Sequence, residues 1–194
     1  MDVVEEKMLR QLNLFKLKNS WMQYLDVKKG SKISKDFLQK NIAIVEKGIL
    51  HSEVKINEKY QFFTVIQSDD IIYPSSMKNE SNSWRVVADT SAKIILINKE
   101  YFLNYATVEP KYMEWLVNKT NEIFHKASFE VIKHTQEWGV KTTIEHIHEV
   151  MEKEGMDKNQ LARCFSKQNL ISYAQVSRYI FDNEWDKLRE IGFV

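Results

Sequence analysis

The stretch Ser172-Tyr173-Ala174-Gln175-Val176-Ser177-Arg178-Tyr179-Ile180-Phe181 opens on short polar side chains, places Val176 and Ile180 four residues apart, and carries one arginine on the other face. That spacing predicts a helix, which either reads nucleic acid or closes a small core. The surrounding residues decide between the two. Ser172 suits an N-cap, so the helix is expected from Ser172 to about Arg189. Two more helices precede it, Thr142 to Lys153 and Asp157 to Ser166, the second opening with Asp157 and Gln160 at capping-box spacing. Three short helices with the last one presented outward predict a helix-turn-helix unit over residues 138–194.

Charge favours the same reading. From Met156 to Phe181 the basic residues Lys158, Arg163, Lys167 and Arg178 face Asp157 alone, whereas Asp182, Glu184, Asp186 and Glu190 follow at once. The whole chain carries only +1, so a nucleic-acid surface has to be local. On the quoted helix Tyr173 and Gln175 can reach base edges, Ser172 and Ser177 phosphate, and Arg178 either guanine or phosphate. Alanine at 174 offers apolar contact instead, as with a thymine methyl. Lys158, Asn159 and Gln160, at the start of the preceding helix, suit the phosphate backbone.

Upstream, Pro110 sits near a first helical turn, and neither proline nor glycine recurs until Gly139. One helix from about Thr107 to His134 is expected, spanning roughly 42 Å at 1.5 Å per residue. Its apolar residues cover more than one face, so either one face packs within the chain and another meets a second copy, or both are buried within one chain. Leu116, Ile123 and Ala127 are the stripe assigned to that two-fold seam. Residues 1–106 read as a short helix, then strands at 42–46, 49–56, 60–67, 84–87 and 93–98 separated by turn residues. The fold class is therefore α+β: an antiparallel β-roll (1–106), a long dimerisation helix (107–137) and a helix-turn-helix unit (138–194).

Composition sets the outer bounds. With 194 residues, 43% hydrophobic and 12% aromatic, the chain can fill a real core. Apolar runs such as Ile94-Ile95-Leu96-Ile97 are far too short to span a bilayer. The opening MDVVEEKMLRQ has no secretory pattern, and the single Cys164 excludes an internal disulfide, so a buried thiol and a cytoplasmic setting are expected. His146 and His148, with Glu152, suggest a metal site of the cupin kind only if they lie on a strand. Helical spacing turns the two histidines roughly 200° apart and leaves His148 and Glu152 on one face, fewer ligands than a metal takes. No metal, no cofactor and no catalytic set is expected, and the chain reads as a non-enzyme.

The order sandwich, long helix, trihelical unit resembles the Crp/Fnr family of bacterial transcription regulators, that of the cyclic-AMP receptor protein and the fumarate-nitrate reductase regulator. Val27 to Ile33 resembles the family's first strand and turn, Ile42 to Leu50 its hairpin with a glycine turn, and Asp70-Ile71-Ile72 its Gly-Asp-Ile-like step. Ile94 to Asn98 with Tyr101-Phe102 looks like its last strand and short helix, and Leu161-Ala162 with Val176-Ser177-Arg178 its helix-turn-helix pair. The resemblance implies a homodimer on a palindromic double-stranded DNA operator, with base readers at Tyr173, Ala174 and Arg178.

The departures matter as much. Between Tyr73 and Trp84 there is no glycine or arginine to hold a cyclic phosphate, an anion that needs charge-assisted donors. One cysteine cannot ligate an iron-sulfur cluster. The turn before Val176 is longer than usual, and the sequence reaches Val194 where a β-hairpin wing would follow. A regulator unresponsive to cyclic AMP is expected. Its effector is either an unidentified small molecule between sandwich and long helix or none. The alternative is a protein-interaction or ligand-sensing module of the same architecture without DNA binding.

Overall fold

A computed structural model describes residues 3–33, 35–73, 84–136 and 139–194. Helix α1 (Val3–Phe15) buries Met8, Leu9 and Leu12 on one face and pairs Arg10 with Glu6 on the other, at 2.5 Å. Eight strands and a short helix follow: β1 (Met22–Val27), β2 (Lys32–Ile33), α2 (Lys35–Lys40), β3 (Asn41–Lys47), β4 (Leu50–Ile56), β5 (Lys59–Ile66), β6 (Ile71–Ile72), β7 (Trp84–Ala88) and β8 (Ala92–Asn98). Five of these lie where the sequence pattern puts strands. The pattern misses β1 and α2, and the two-residue β2 and β6 are too short to show a period.

The strands form two antiparallel sheets, ordered β1-β8-β3-β6 and β2-β7-β4-β5. Val45, Leu50, Ile66, Val86, Ile94 and Leu96 fill the space between them. The outer face of the first sheet is covered as well: Ile42, Ile44, Ile95 and Ile97 pack against Met8, Leu12, Phe102 and Trp115 from helices. Burial on both faces explains why β8 reads as a continuous apolar run instead of an alternating one.

The outer face of the second sheet is closed differently. Pairing of β4 with β5 runs Ser52 to Thr64 and then Glu53 to Phe62, leaving Phe63 as an extra residue. In a regular strand Phe62 and Val65, three apart, would face opposite sides. The bulge turns both outward. With Ile49 of the β3–β4 turn they enter one core with the C-terminal helices.

After β8 come α3 (Lys99–Val108) and α4 (Pro110–Gln136), which pack on the first sheet, and then the C-terminal helices α5 (Val140–Lys153), α6 (Leu161–Cys164), α7 (Lys167–Ala174) and α8 (Arg178–Glu190). The long helix starts at Pro110 and not at Thr107, because Pro110 has no N–H to continue α3 and suits a first helical position. Gly139, which ends the stretch free of proline and glycine, is the N-cap residue of α5, and Trp138 before it lies outside the described residues. Val140, Ile144, Ile147, Val150 and Met151 line up along α5 at helical spacing, and the core they build with Phe165, Tyr173, Phe181 and Leu188 also takes in Ile49, Phe62 and Val65.

Two expected helices are divided otherwise. The segment 157–166 is one 3-10 turn (Lys158–Gln160) followed by the single-turn α6, with Asp157 Oδ1 accepting from the Asn159 N–H at 2.7 Å. The expected helix from Ser172 breaks at Gln175–Ser177. Ser166 and Ser177 are the capping residues, accepting from the N–H of Asn169 at 3.1 Å and of Ile180 at 3.3 Å.

Candidate functional site

Two helices of unequal length, α7 and α8, meet across Gln175-Val176-Ser177. Gln175 turns the chain in the left-handed region at φ 53, a conformation that costs a residue with a Cβ and that glycine adopts freely. A missing glycine is why the turn does not show in the sequence. Phe181 and Leu188 anchor α8 to the core, which leaves Arg178, Tyr179 and Asn183 exposed together over its first two turns. Tyr179 is 75% exposed. Asp182 lies among them, its carboxylate 2.8 Å from Lys167 Nζ and 3.8 Å from Arg178 Nε.

This placement corrects several expected contacts. Tyr173 and Ala174 are buried at 1% and 2% exposure, on the last turn of α7, so neither reaches a base edge. Ser172 accepts the Phe62 N–H at 3.0 Å and is turned toward β5. Gln175 is exposed in the turn, Ser177 caps α8, and Arg178 stands at its first position. Lys158 and Asn159 are exposed and Gln160 half-buried on the 3-10 turn before α6, two elements upstream of α8. Tyr179 and Asn183 are exposed positions that an uninterrupted helix from Ser172 does not single out.

The stripe assigned to the seam is also corrected. Leu116 is 5% exposed and packs with Ile123 into the core under the first sheet, while Ile123 and Ala127 line a cavity against the sandwich. Helical periodicity defines a stripe without saying which surface it meets. Among the described side chains of α4, the exposed large apolar ones are Val117, at 51%, and Phe124, at 67%, one heptad apart.

That cavity, about 220 Å³, is walled among the described residues by Phe63, Ile66, Ile71, Ile72, Trp84 and Ile123. Among the described residues the buried Ser52 hydroxyl on its wall has no hydrogen-bond partner. At one edge Lys126 Nζ of α4 donates to Asp70 Oδ2 at 2.8 Å. An apolar cavity of roughly 150 Å³ accommodates benzene, so the space suits a small apolar molecule with one hydrogen-bonding group. The stretch 74–83, where a cyclic phosphate would be gripped, lies outside the described residues.

Between sandwich and helices, His51 stacks on Phe62 at 4.4 Å, and the Tyr173 ring lies tilted against Phe62 at 4.4 Å. His51 Nδ1 is 2.7 Å from Asp89 Oδ2. Burial raises the Asp89 carboxyl above the ordinary carboxylate range, an effect opposed by His51, Lys29 and a hydrogen bond with Asn169 of α7. Glu53 is bonded by Arg85, whose guanidinium lies 3.5 Å over the Tyr60 ring. The histidines of α5 are occupied with ring contacts, His146 near Tyr173 at 6.1 Å and His148 near Phe193 at 5.7 Å. Burial and then Lys158 push His148 below the usual histidine range. Burial lifts the Cys164 thiol above its usual range, which makes it a poor nucleophile.

No family model matches the sequence, and no curated protein does. Solved structures do match. A cyclic nucleotide-binding domain containing protein from Listeria monocytogenes EGD-e superposes with TM-score 0.71 at 15% identity, covering 96% of this chain and 90% of its own. A protein described as a transcriptional regulator of the crp/fnr family, from Eubacterium rectale, gives 0.68 at 12%, with 99% and 85% covered. FixK2 from Bradyrhizobium japonicum gives 0.67 at 13%, with 88% and 86% covered. The fold is that of the Crp/Fnr regulators.

In this example of the Crp/Fnr fold, the turn before α8 is held by a residue that resists its conformation. Gln175→Gly relieves that resistance, although glycine also loosens the unfolded chain. The expected net effect is a gain of about 0.5–1 kcal/mol, read as a higher urea midpoint at unchanged m-value. A lower midpoint contradicts the strained turn.

Proposed function

We propose that the chain is a homodimeric, sequence-specific DNA-binding transcription regulator, with a sensory β-roll over 1–106, a dimerisation helix over 107–137 and a helix-turn-helix unit over 138–194. The observation that carries this is the exposed start of α8. Its inner face is fixed by Phe181 and Leu188 while Arg178, Tyr179 and Asn183 project together. Arginine pairs with guanine and asparagine with adenine in a major groove, and the tyrosine offers both a ring and a hydroxyl. The shared fold with Crp/Fnr regulators supports the reading.

A second reading has its own support. Residues 139–194 hold eight Lys and Arg against nine Asp and Glu, a net −1 that lends no long-range attraction to phosphate. That balance favours the protein-interaction module. Selection from random duplex DNA separates the two. The regulator enriches a palindrome whose half-sites lie about 34 Å apart, and Arg178→Ala weakens binding by about 1–3 kcal/mol if the arginine reads a base. Cyclic AMP leaves that affinity unchanged, because the sequence between Tyr73 and Trp84 offers no glycine or arginine to hold a cyclic phosphate. Absence of salt-sensitive, sequence-selective binding removes the regulator and leaves the interaction module.

The dimer seam follows the corrected face of α4. Burying a phenylalanine side chain contributes about 1.5–3 kcal/mol, and Phe124 with Val117 presents that surface outward from each copy. Sedimentation is expected to show a dimer for the wild type and a monomer for the double substitution Val117→Glu, Phe124→Glu. Leu116→Ala is expected to lower stability without dissociating the dimer. A wild-type monomer, or a double variant that stays dimeric, sinks the seam.

A further inference from the structure

Glu154 follows the last residue of α5 and has both carboxylate oxygens engaged on the sandwich. Oε2 accepts the Gly48 N–H at 2.9 Å and Oε1 the Ser68 N–H at 2.8 Å. These amides belong to two different turns, between β3 and β4 and between β5 and β6. Charge-assisted bonds of this kind are among the strong ones. The first turn has no room to yield: Gly48 sits at φ +101, and a Cβ there would lie 2.7 Å from the Ser91 carbonyl oxygen. The second is cross-braced over four residues. Asp70 Oδ2 accepts the Gln67 N–H at 2.9 Å, the Asp70 N–H donates to the Gln67 carbonyl at 3.1 Å, and the Asp69 N–H reaches the Val45 carbonyl at 2.9 Å.

The same Asp70 Oδ2 takes the Lys126 ammonium of α4 at 2.8 Å, and Asp70, Lys126 and Ile66 all line the cavity. One braced turn therefore joins the charged edge of the cavity to the end of α5. We propose that the Gln67–Asp70 turn is the coupling element of this protein: an occupant that draws Lys126 away from Asp70 loosens the turn, releases Ser68 from Glu154, and so unseats the helical unit from the sandwich. The proposal rests on the reading of the cavity as an effector site, and it supplies the two-state element such coupling requires.

Amide hydrogen exchange on the intact protein tests the coupling with neither effector nor DNA, so its failure is distinct from failure of the effector or DNA reading. Glu154→Ala is expected to speed exchange at both Gly48 and Ser68 at least tenfold. Lys126→Met, which touches neither amide, is expected to speed Ser68 at least fivefold and Gly48 at least twofold, since an unseated helical unit takes Glu154 from both. Lys126→Arg, which keeps the charge, and Lys119→Met, elsewhere on α4, leave both within twofold. Amides of β3 and β8 report global stability, and Asp70→Asn replaces Lys126→Met should that variant fold poorly. Ser68 exchange within twofold of wild type in Lys126→Met or Asp70→Asn overturns the coupling. So does unchanged exchange in Glu154→Ala.

Discussion

The ring of Phe62 holds this molecule together across its principal division. It stacks on His51 of its own sheet and packs at a tilt against Tyr173 of α7, so the sandwich and the C-terminal helices share one core instead of meeting at a wet interface. The bulge at Phe63 makes this possible by turning Phe62 and Val65 to the same outer face. A helical unit of fewer than 60 residues, 139–194, has a marginal core by itself, and part of what completes it belongs to the β3–β4 turn and β5. Polar groups then fix the fit: Ser172 on the Phe62 amide, Glu154 on two turns, Asn169 on Asp89.

Docking of this kind bears on control. On the proposed coupling, a unit seated on the sandwich by an extensive apolar contact and a few charge-assisted bonds passes between seated and released, because packed cores switch instead of deforming gradually. The seated arrangement leaves the first turns of α8 exposed. Release would change where that surface stands relative to a second copy, which is the geometric variable a two-fold DNA reader needs to regulate.

Much of this was legible in the sequence, and the exceptions have physical causes. The order of sandwich, long helix and short helices, and the strands β3, β4, β5, β7 and β8, follow from periodicity and turn residues. The break at Gln175–Ser177 did not, because a glutamine occupies the left-handed position where glycine would have flagged it. Without that flag Ser172 passes for a cap and Tyr173 and Ala174 for surface, whereas they end α7 in the core. On α4 the stripe of Leu116, Ile123 and Ala127 was visible, but its partner was not: the residues meet their own sandwich, and outward exposure falls to Val117 and Phe124. The Glu154 clasp joins residues 106 and 86 positions apart, and no local pattern announces a contact of that range.

Sandwich and helical unit form one cooperative body through the Phe62 core. Scanning calorimetry at fixed protein concentration measures this directly, since a body with one core unfolds in one transition. The account predicts a single endotherm, across which β8 and α5 lose structure together. Two resolved endotherms, with the helical unit melting first and the sandwich left folded, would contradict it.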